Sequence, residues 1–565
     1  MPLGEKKVRR LTGLMLVVAV LITRLPLISR MLYEFDSVDF AVATFRFSID
    51  QVTPHFPGYI LHILFAKFLL FFISDVNLAF VWISILLSTG SVLFLWRAGS
   101  ALYGERVGVI ASVLWLFTPI FWFYGEVATA YVYEAFFASA FLYFGISLLR
   151  KPDKEWFVYS LFIALAFATG ARQSSILFFT PCVIYILWKT RQPLKICFTG
   201  LVLFLIIAAT WMAILFSDSG GIDRYFAQIG SETVYRSQSI LFGNSFSTQL
   251  SVIAKVLLYL FIAALPFLII IIVSLIRYRK RTTTFIKAHF KRPTLHFTIL
   301  VAIPPFLFYI AIYFMKAGYL LNILPSIALI SAVLLDQMTI WNAERMKKRP
   351  GNSLLLTRPL ITTAAIRYCI IILAFDIFIF FFPFPWLCEK NFNNAFTLDS
   401  FNAQASILDP TLGGGKGLAL NRLFSFSSIH GIVSTDKLHT EVLEALKKES
   451  ADPADLIILD TWWHRWGYYY SQRSMIYDIR DFPLSDSLWV GVSQNYIREG
   501  IADSVLEIPH EKKVIILLRE DHPSFKSVAK QLHLKRIGLP KYLDMYRITD
   551  EHFSLQWKNV RFVKE

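Results

Sequence analysis

A chain of 565 residues that is 56% hydrophobic, 16% aromatic and only 17% charged, with mean hydropathy +0.54, lies well outside the soluble globular average, so most of it belongs in lipid. The net charge of +16 and pI near 9.5 would suit nucleic acid, but the basic residues fall in short loops between apolar runs rather than among base-stacking aromatics. Four scattered cysteines argue against a disulfide framework or a CxxC metal site.

The chain opens with the basic leader MPLGEKKVRR and an apolar run over 11–27. No small-residue cleavage site follows, so the run reads as an uncleaved first span with its N-terminus in the cytoplasm. Further apolar runs cover 56–73, 77–96, 107–124, 128–149, 156–168, 174–188, 194–216, 252–276, 296–314, 319–335 and 359–386. Most have the roughly 20 residues that cross about 30 Å of hydrocarbon as helix.

Parity decides one ambiguous run. If 56–73 crossed the membrane, the basic loops WRAGSALYGER, KTRQPLK, RYRKRTTTFIKAHFKR and ERMKKRPGNSLLLTR would all lie outside, against the positive-inside rule. If that run instead lies along the outer face as a helix, with Pro57 in its first turn, all four loops face the cytoplasm. The expected architecture is therefore a polytopic α-helical membrane protein with about 11 transmembrane helices over 1–386. Its first outer loop covers 28–76. Over 387–565, short β-like runs (LIILDTWW, KVIILLRE, YLDMYRIT) alternate with helical ones (DKLHTEVLEALKKES, DHPSFKSVAKQLHL), which predicts an extracytoplasmic α/β domain.

The stretch LYEFDSVDFAVATFRFSIDQVTPHFPGYILHILFAKFLLFF (32–72) carries more charge than an anchor needs. Asp36 and Asp39 share a face if the segment is helical, where they could deprotonate a hydroxyl or ligate a divalent cation, or simply end the first helix at the lipid boundary. On one continuous helix Glu126 and Glu134, in YGEVATAYVYE, would lie about two turns apart on roughly one side. A carboxylate at the start of a span is costly unless it meets a polar cavity, and for Glu134 the alternative is pairing with Arg172. Arg172, in ATGARQSS, can hold a phosphate bidentately or stand as a solvated turn charge. Lys316, beside Tyr319 in the outer turn MKAGYLL, runs against the positive-inside trend, which phosphate binding would explain. His55 and His62 would share one face of the surface helix and bind metal or phosphate, or be ordinary interfacial histidines. GGGKG (413–417) lacks the spacing of a phosphate-binding loop and reads as flexible chain. DTWWHRWGYYY (460–470) could offer sugar-stacking aromatics, but a hydrophobic core strand fits it better.

In order along the chain, YEFDSVDFAVA, HFPGYILHILFAK, the basic turn WRAGSALYGERVG, FTPIFWFYGEVATAYVYEAFF and GYLLNILPSIAL resemble the blocks of the GT-C superfamily of polyprenyl-phosphate-sugar glycosyltransferases. The nearest branch is the bacterial one similar to protein O-mannosyltransferases and the lipid A aminoarabinose transferase. The resemblance implies a bundle of transmembrane helices whose first outer loop forms the catalytic cavity. Its catalytic or metal-associated carboxylate matches Asp36. The family often places a second acid directly after it, whereas this chain has Ser37 and then Asp39. His55 matches the residue before the proline block, Glu134 the carboxylate opening a later span with Glu126 nearby, and Arg172 and Lys316 would be the basic groups near the donor phosphate.

The implied activity is transfer, with inversion, of a monosaccharide from a polyprenyl-phosphate carrier to an extracytoplasmic protein, lipid or glycan. Asp36 and Asp39 are the catalytic candidates, and His55, Arg172, Lys316 and Tyr319 the donor-phosphate group. Asp36, Glu126 and Glu134 are candidate ligands of a Mg2+ or Mn2+ ion, and no nucleotide cofactor or nucleic-acid partner is expected. The expected setting is the inner or plasma membrane. A transporter or flippase of a lipid-linked or anionic substrate is the rival, but it should show matching halves, and none is evident.

Overall fold

In a computed structural model of the chain, the described residues are 3–49, 53–314, 316–347, 358–382, 428–460, 464–471, 473–478, 488–492, 497–501, 505–518, 525–537, 545–557 and 560–565. The glycine run 413–417 and the boundary expected at 386/387 lie outside them.

The first half is helical: α1 (Leu3–Arg24), α2 (Phe35–Ala43), α3 (Ile60–Leu69), α4 (Val76–Tyr103), α5 (Glu105–Leu116), α6 (Pro119–Tyr124), α7 (Val132–Arg150), α8 (Trp156–Ala171), α9 (Ser175–Thr190) and α10 (Leu194–Asp218). There follow α11 (Ile222–Arg236), α12 (Phe246–Ala263), α13 (Leu265–Arg277), α14 (Arg279–Phe290), α15 (Pro293–Ala311), a 3-10 turn Ala317–Asn322, α16 (Leu324–Lys347) and α17 (Arg358–Phe381). Seven helices among the described residues are long and apolar enough to cross a membrane, beginning at Lys6, Val76, Val132, Leu194, Phe246, Pro293 and Leu324. This is a polytopic helical membrane protein.

Three sequence expectations change in detail. The run 56–73 yields only the ten residues of α3, about 15 Å of helix. That is half the hydrocarbon thickness, in keeping with a helix that does not cross. Pro57 is not in its first turn, because Gly58 at φ 103° and Tyr59 at φ 43° adopt left-handed backbone that no α-helix can contain. The run 107–124 is divided before Pro119, and 252–276 breaks at Ala264, ahead of Pro266, into α12 and α13.

The core of the bundle is α4 packed between α5 and α7, with α8, α9 and α16 around them. Where α4 meets α5, a Cβ on Gly99 would lie 2.8 Å from the Gly108 Cα, so the two backbones touch as only small residues permit.

The C-terminal region is α/β. It comprises α18 (Ile429–Glu449), β1 (Leu456–Asp460), α19 (His464–Tyr470), β2 (Met475–Asp478), β3 (Leu488–Val492), β4 (Ile497–Ile501), β5 (Val505–Glu507), β6 (Lys513–Leu517), α20 (Phe525–Gln531), β7 (Leu534–Arg536), β8 (Met545–Ile548), β9 (Phe553–Trp557) and β10 (Val560–Lys564). A seven-stranded sheet runs β4-β3-β2-β1-β6-β8-β7, and a three-stranded one β5-β10-β9. Central β1 is parallel to both neighbours, with Ile457 opposite Met475 and Val514, and all five of its residues are buried, as a strand covered on both faces requires. The strand expected through DTWWHRWGYYY stops at Asp460, and residues 464–470 form α19. Trp466 and Tyr470, four residues apart, thereby share one helical face.

Candidate active site

The first outer loop builds its acidic centre locally. Glu34 caps α2 through a reciprocal box: its side chain accepts from the Ser37 N–H, and the Ser37 hydroxyl accepts from the Glu34 N–H at 3.3 Å. With α2 started there, Asp36 and Asp39 fall on one face, as their spacing predicts. The chain then turns back through an antiparallel bridge between Ser48 and Thr53, which returns His55 to that face. His55 Nδ1 lies 3.9 Å from Asp36 Oδ1 and 3.7 Å from Asp39 Oδ2. Phe40 and Tyr59 hold its ring, at 5.6 and 5.0 Å between centroids. The Pro57 carbonyl behind it accepts from Gln173 Nε2 at 3.1 Å and from the Tyr225 hydroxyl at 3.0 Å.

Lys316 closes the acidic centre from far along the chain. Its Nζ donates to Glu34 Oε2 at 2.5 Å and to Asp36 Oδ2 at 2.8 Å. Burial opposes the charge on Lys316, but Asp36 and Glu34 outweigh it and hold the ammonium well above the usual lysine range. Burial pushes the Glu34 carboxyl up against the pull of Lys316. Gly318 lets the 3-10 turn carrying Lys316 and Tyr319 approach: a Cβ there would sit 2.5 Å from the Tyr131 ring.

Arg172 forms the second cationic point. Nη1 donates to Glu134 Oε1 at 2.8 Å, and the guanidinium stacks over Tyr319 at 4.2 Å. Asn322 donates to the other Glu134 oxygen and to the Tyr309 hydroxyl, so Glu134 is held from both sides. Burial opposes the Arg172 charge, and Glu134 together with Tyr319, Tyr59 and Tyr309 outweighs it, holding the guanidinium above the usual arginine range. Lys316 and Arg172 each stand 5.8 Å from the Tyr131 ring, so both cations border one aromatic surface with Tyr319 beside it. Of the residues singled out in the sequence, Asp36, Asp39, His55, Lys316, Arg172, Tyr319 and Glu134 thus converge. The arrangement offers a partly exposed carboxylate, a buried carboxylate and two fixed cations, which suits proton abstraction beside a departing phosphate.

Comparison with known proteins finds one family match over part of the chain and a shared overall fold. Residues 54–214 match the family described as dolichyl-phosphate-mannose-protein mannosyltransferase. That range contains His55, Glu126, Glu134 and Arg172, while Asp36, Asp39 and Lys316 lie outside it. The structure superposes on ArnT from Cupriavidus metallidurans in the apo state with TM-score 0.56 at 13% identity, covering 96% of this chain and 98% of that one. The same enzyme bound to undecaprenyl phosphate gives TM-score 0.55 at 12% identity, with the same coverage. The chain has a GT-C fold.

No curated protein sequence matches this chain.

Within the GT-C fold, Glu126 stands apart from the acidic centre. It lies in the turn after α6, not on one helix with Glu134, because α7 begins only at Val132. Trp122 Nε1 donates to its carboxylate at 2.7 Å, and Arg24 is its charge partner. Glu126 therefore braces the end of α1, its backbone carbonyl accepting from the Ser29 N–H at 2.9 Å. Glu134 is committed to Arg172 and Asn322. The candidate cation set consequently becomes Asp36, Asp39 and His55, whose ligand atoms all lie within 4.8 Å of one another. His55 Nδ1 is buried with no hydrogen-bond partner, and carboxylate with imidazole suits a divalent cation, so these residues fit one.

His62 does not join His55. It sits on α3, fully buried among Phe40, Phe80 and Tyr133, and burial lowers its imidazole to about 3. Reading the sequence for sites passes over Asn322 and Tyr309; the signal for Asn322 is an amide inside the apolar run GYLLNIL.

Proposed function

We propose that this chain is a membrane glycosyltransferase that moves a monosaccharide from a polyprenyl-phosphate carrier to an extracytoplasmic acceptor, with inversion at the anomeric carbon. The observation that carries the reading is the meeting of Asp36 and Asp39 with Lys316 and Arg172 beside one aromatic surface. The undecaprenyl phosphate seen in the ArnT structure supports a lipid-phosphate carrier as the donor class.

The acceptor hydroxyl approaches Asp36, the more exposed of the two acids, which takes its proton as the oxygen attacks the anomeric carbon. The bond to the phosphate oxygen breaks, and its electron pair leaves with polyprenyl phosphate. Lys316 and Arg172, already fixed in place, stabilise that leaving charge without reorganising. Tyr319 and the Tyr131 face line the approach. Asp36, Asp39 and His55 would hold a Mg2+ or Mn2+ ion, which would supply further positive charge to the phosphate.

The basic loops and the shortness of α3 support a cytoplasmic N-terminus and an extracytoplasmic C-terminal region in the inner or plasma membrane.

The test is release of polyprenyl phosphate from a panel of lipid-linked sugars by the protein in nanodiscs, comparing wild type with Asp36→Asn at matched folding. Turnover that Asp36→Asn lowers by about a hundredfold or more is expected. Normal turnover by the variant sinks the role of Asp36, and no consumption of any donor with membrane extract as acceptor sinks the transferase reading and leaves transport to be tested.

A further inference from the structure

Residues 28–33, between the end of α1 and the cap of α2, have no regular secondary structure to pair their backbone groups. The bundle pairs Ser29, whose N–H donates to the Glu126 carbonyl at 2.9 Å and whose carbonyl accepts from Asn77 Nδ2 at 2.8 Å, and the C-terminal region supplies partners for residues 30–32. Asp436 on α18 accepts from the Ser29 hydroxyl at 3.0 Å, the Arg30 N–H at 2.8 Å and the Met31 N–H at 2.9 Å. On α19, the Tyr470 hydroxyl accepts from the Leu32 N–H at 2.9 Å, and Trp466 Nε1 donates to the Leu32 carbonyl at 2.7 Å. The Trp466 ring packs on Phe35, the first residue of α2, at 4.7 Å, and His439 stacks on Trp466 at 4.4 Å. Three consecutive amides and one carbonyl are thus held by a region more than 400 residues away, as the 405-residue separation of Met31 from Asp436 shows. The held segment ends two residues before Glu34.

We propose that Asp436, Trp466 and Tyr470 are positioning residues, which fix the backbone of residues 29–32 so that Glu34 and Asp36 meet Lys316 and His55. The proposal rests on the transferase reading above. A carboxylate receiving three hydrogen bonds is among the stronger ways to immobilise a loop, and misplacing a reacting group by about 1 Å can cost about a hundredfold in rate. Without the clamp, α2 keeps its own cap through Ser37, so the helix survives but its place does not.

The experiment uses the full chain in nanodiscs and reads two quantities for wild type, Asp436→Ala, Asp436→Asn and Tyr470→Phe: amide hydrogen exchange at residues 30–32, and kcat and KM for polyprenyl-phosphate release. Asp436→Ala should speed exchange at Arg30 and Met31 by about tenfold or more and lower kcat ten- to hundredfold, roughly, with the donor KM within about twofold. Asp436→Asn keeps an acceptor oxygen and should recover part of both. Tyr470→Phe should act at Leu32. Unchanged exchange at residues 30–32 overturns the proposal, and so does faster exchange with unaltered kcat, which would make the contacts simple adhesion. Should Asp436→Ala unfold the C-terminal region, seen as exchange rising across β1 and β6, Tyr470→Phe decides at Leu32 by the same two readings. If the wild type turns over no lipid-linked sugar, the transferase reading fails and takes the catalytic half of the proposal with it, while exchange still accepts or rejects the clamp.

Discussion

Lys316 Nζ stands 2.8 Å from Asp36 Oδ2 although 280 residues separate the two in sequence. One ammonium satisfies both Glu34 and Asp36, so removing it leaves two acids facing each other in a largely buried setting.

Lys316→Met should lower turnover by about a hundredfold or more, since it removes a fixed cation from the leaving phosphate. Lys316→Arg should restore only part, because a planar fork cannot reproduce a point charge between two carboxylates. Steady-state release of polyprenyl phosphate checks both.

Asp39→Asn and His55→Ala should each abolish binding of one Mn2+ by the protein, read by electron paramagnetic resonance of free Mn2+ without any turnover. Glu126→Gln should leave that binding intact, since Glu126 lies in the turn after α6, apart from those three, where it accepts from Trp122 and feels the charge of Arg24. Loss of Mn2+ binding in Glu126→Gln alone would overturn the assignment of the cation set.

Glu134→Ala should destabilise the protein by roughly 3 kcal/mol, the usual cost of leaving a buried partner's charge uncompensated. Its carboxylate is 1% exposed and the Arg172 side chain 14%, so solvent replaces little of the lost pairing. Arg172→Lys should also lose activity, because an ammonium cannot keep both the ion pair and the stack on Tyr319. Thermal unfolding in detergent, read beside turnover, separates the two effects.

Acid should weaken the fold through its buried histidines. His62 and His439 are both lowered from 6.5 to about 3 by burial, so the unfolded chain binds more protons between those values. Stability from these two groups is fully present above pH 6.5 and is lost as pH falls toward 3, by up to about one proton per histidine in slope. His62→Phe, placed among Phe40, Phe80 and Tyr133, should flatten part of that acid limb in a series of melting temperatures against pH.

What the sequence determined by itself is local. The apolar runs located the membrane helices, because a span must cross about 30 Å of hydrocarbon whatever its neighbours are, although 56–73, 107–124 and 252–276 fold as shorter pieces. The spacing of Asp36 and Asp39 put them on one face because helical periodicity acts within a few residues. The alternation of short apolar and amphipathic runs after residue 428 likewise foretold β1, β6, β8 and α18. Only the tertiary structure decided which distant charges meet. Nothing in the periodicity of residues 30–36 announces Lys316 or Asp436, since those contacts depend on how the 3-10 turn packs against α6 and α7 and on where α18 and α19 dock. The same holds for 464–470, where an aromatic run fits a strand or a helix equally well until Trp466 and Tyr470 find Leu32 on one face. Glu126 and Glu134 show the converse. Both look alike as acids at an outer turn, and packing sends one to Arg24 and the other to Arg172.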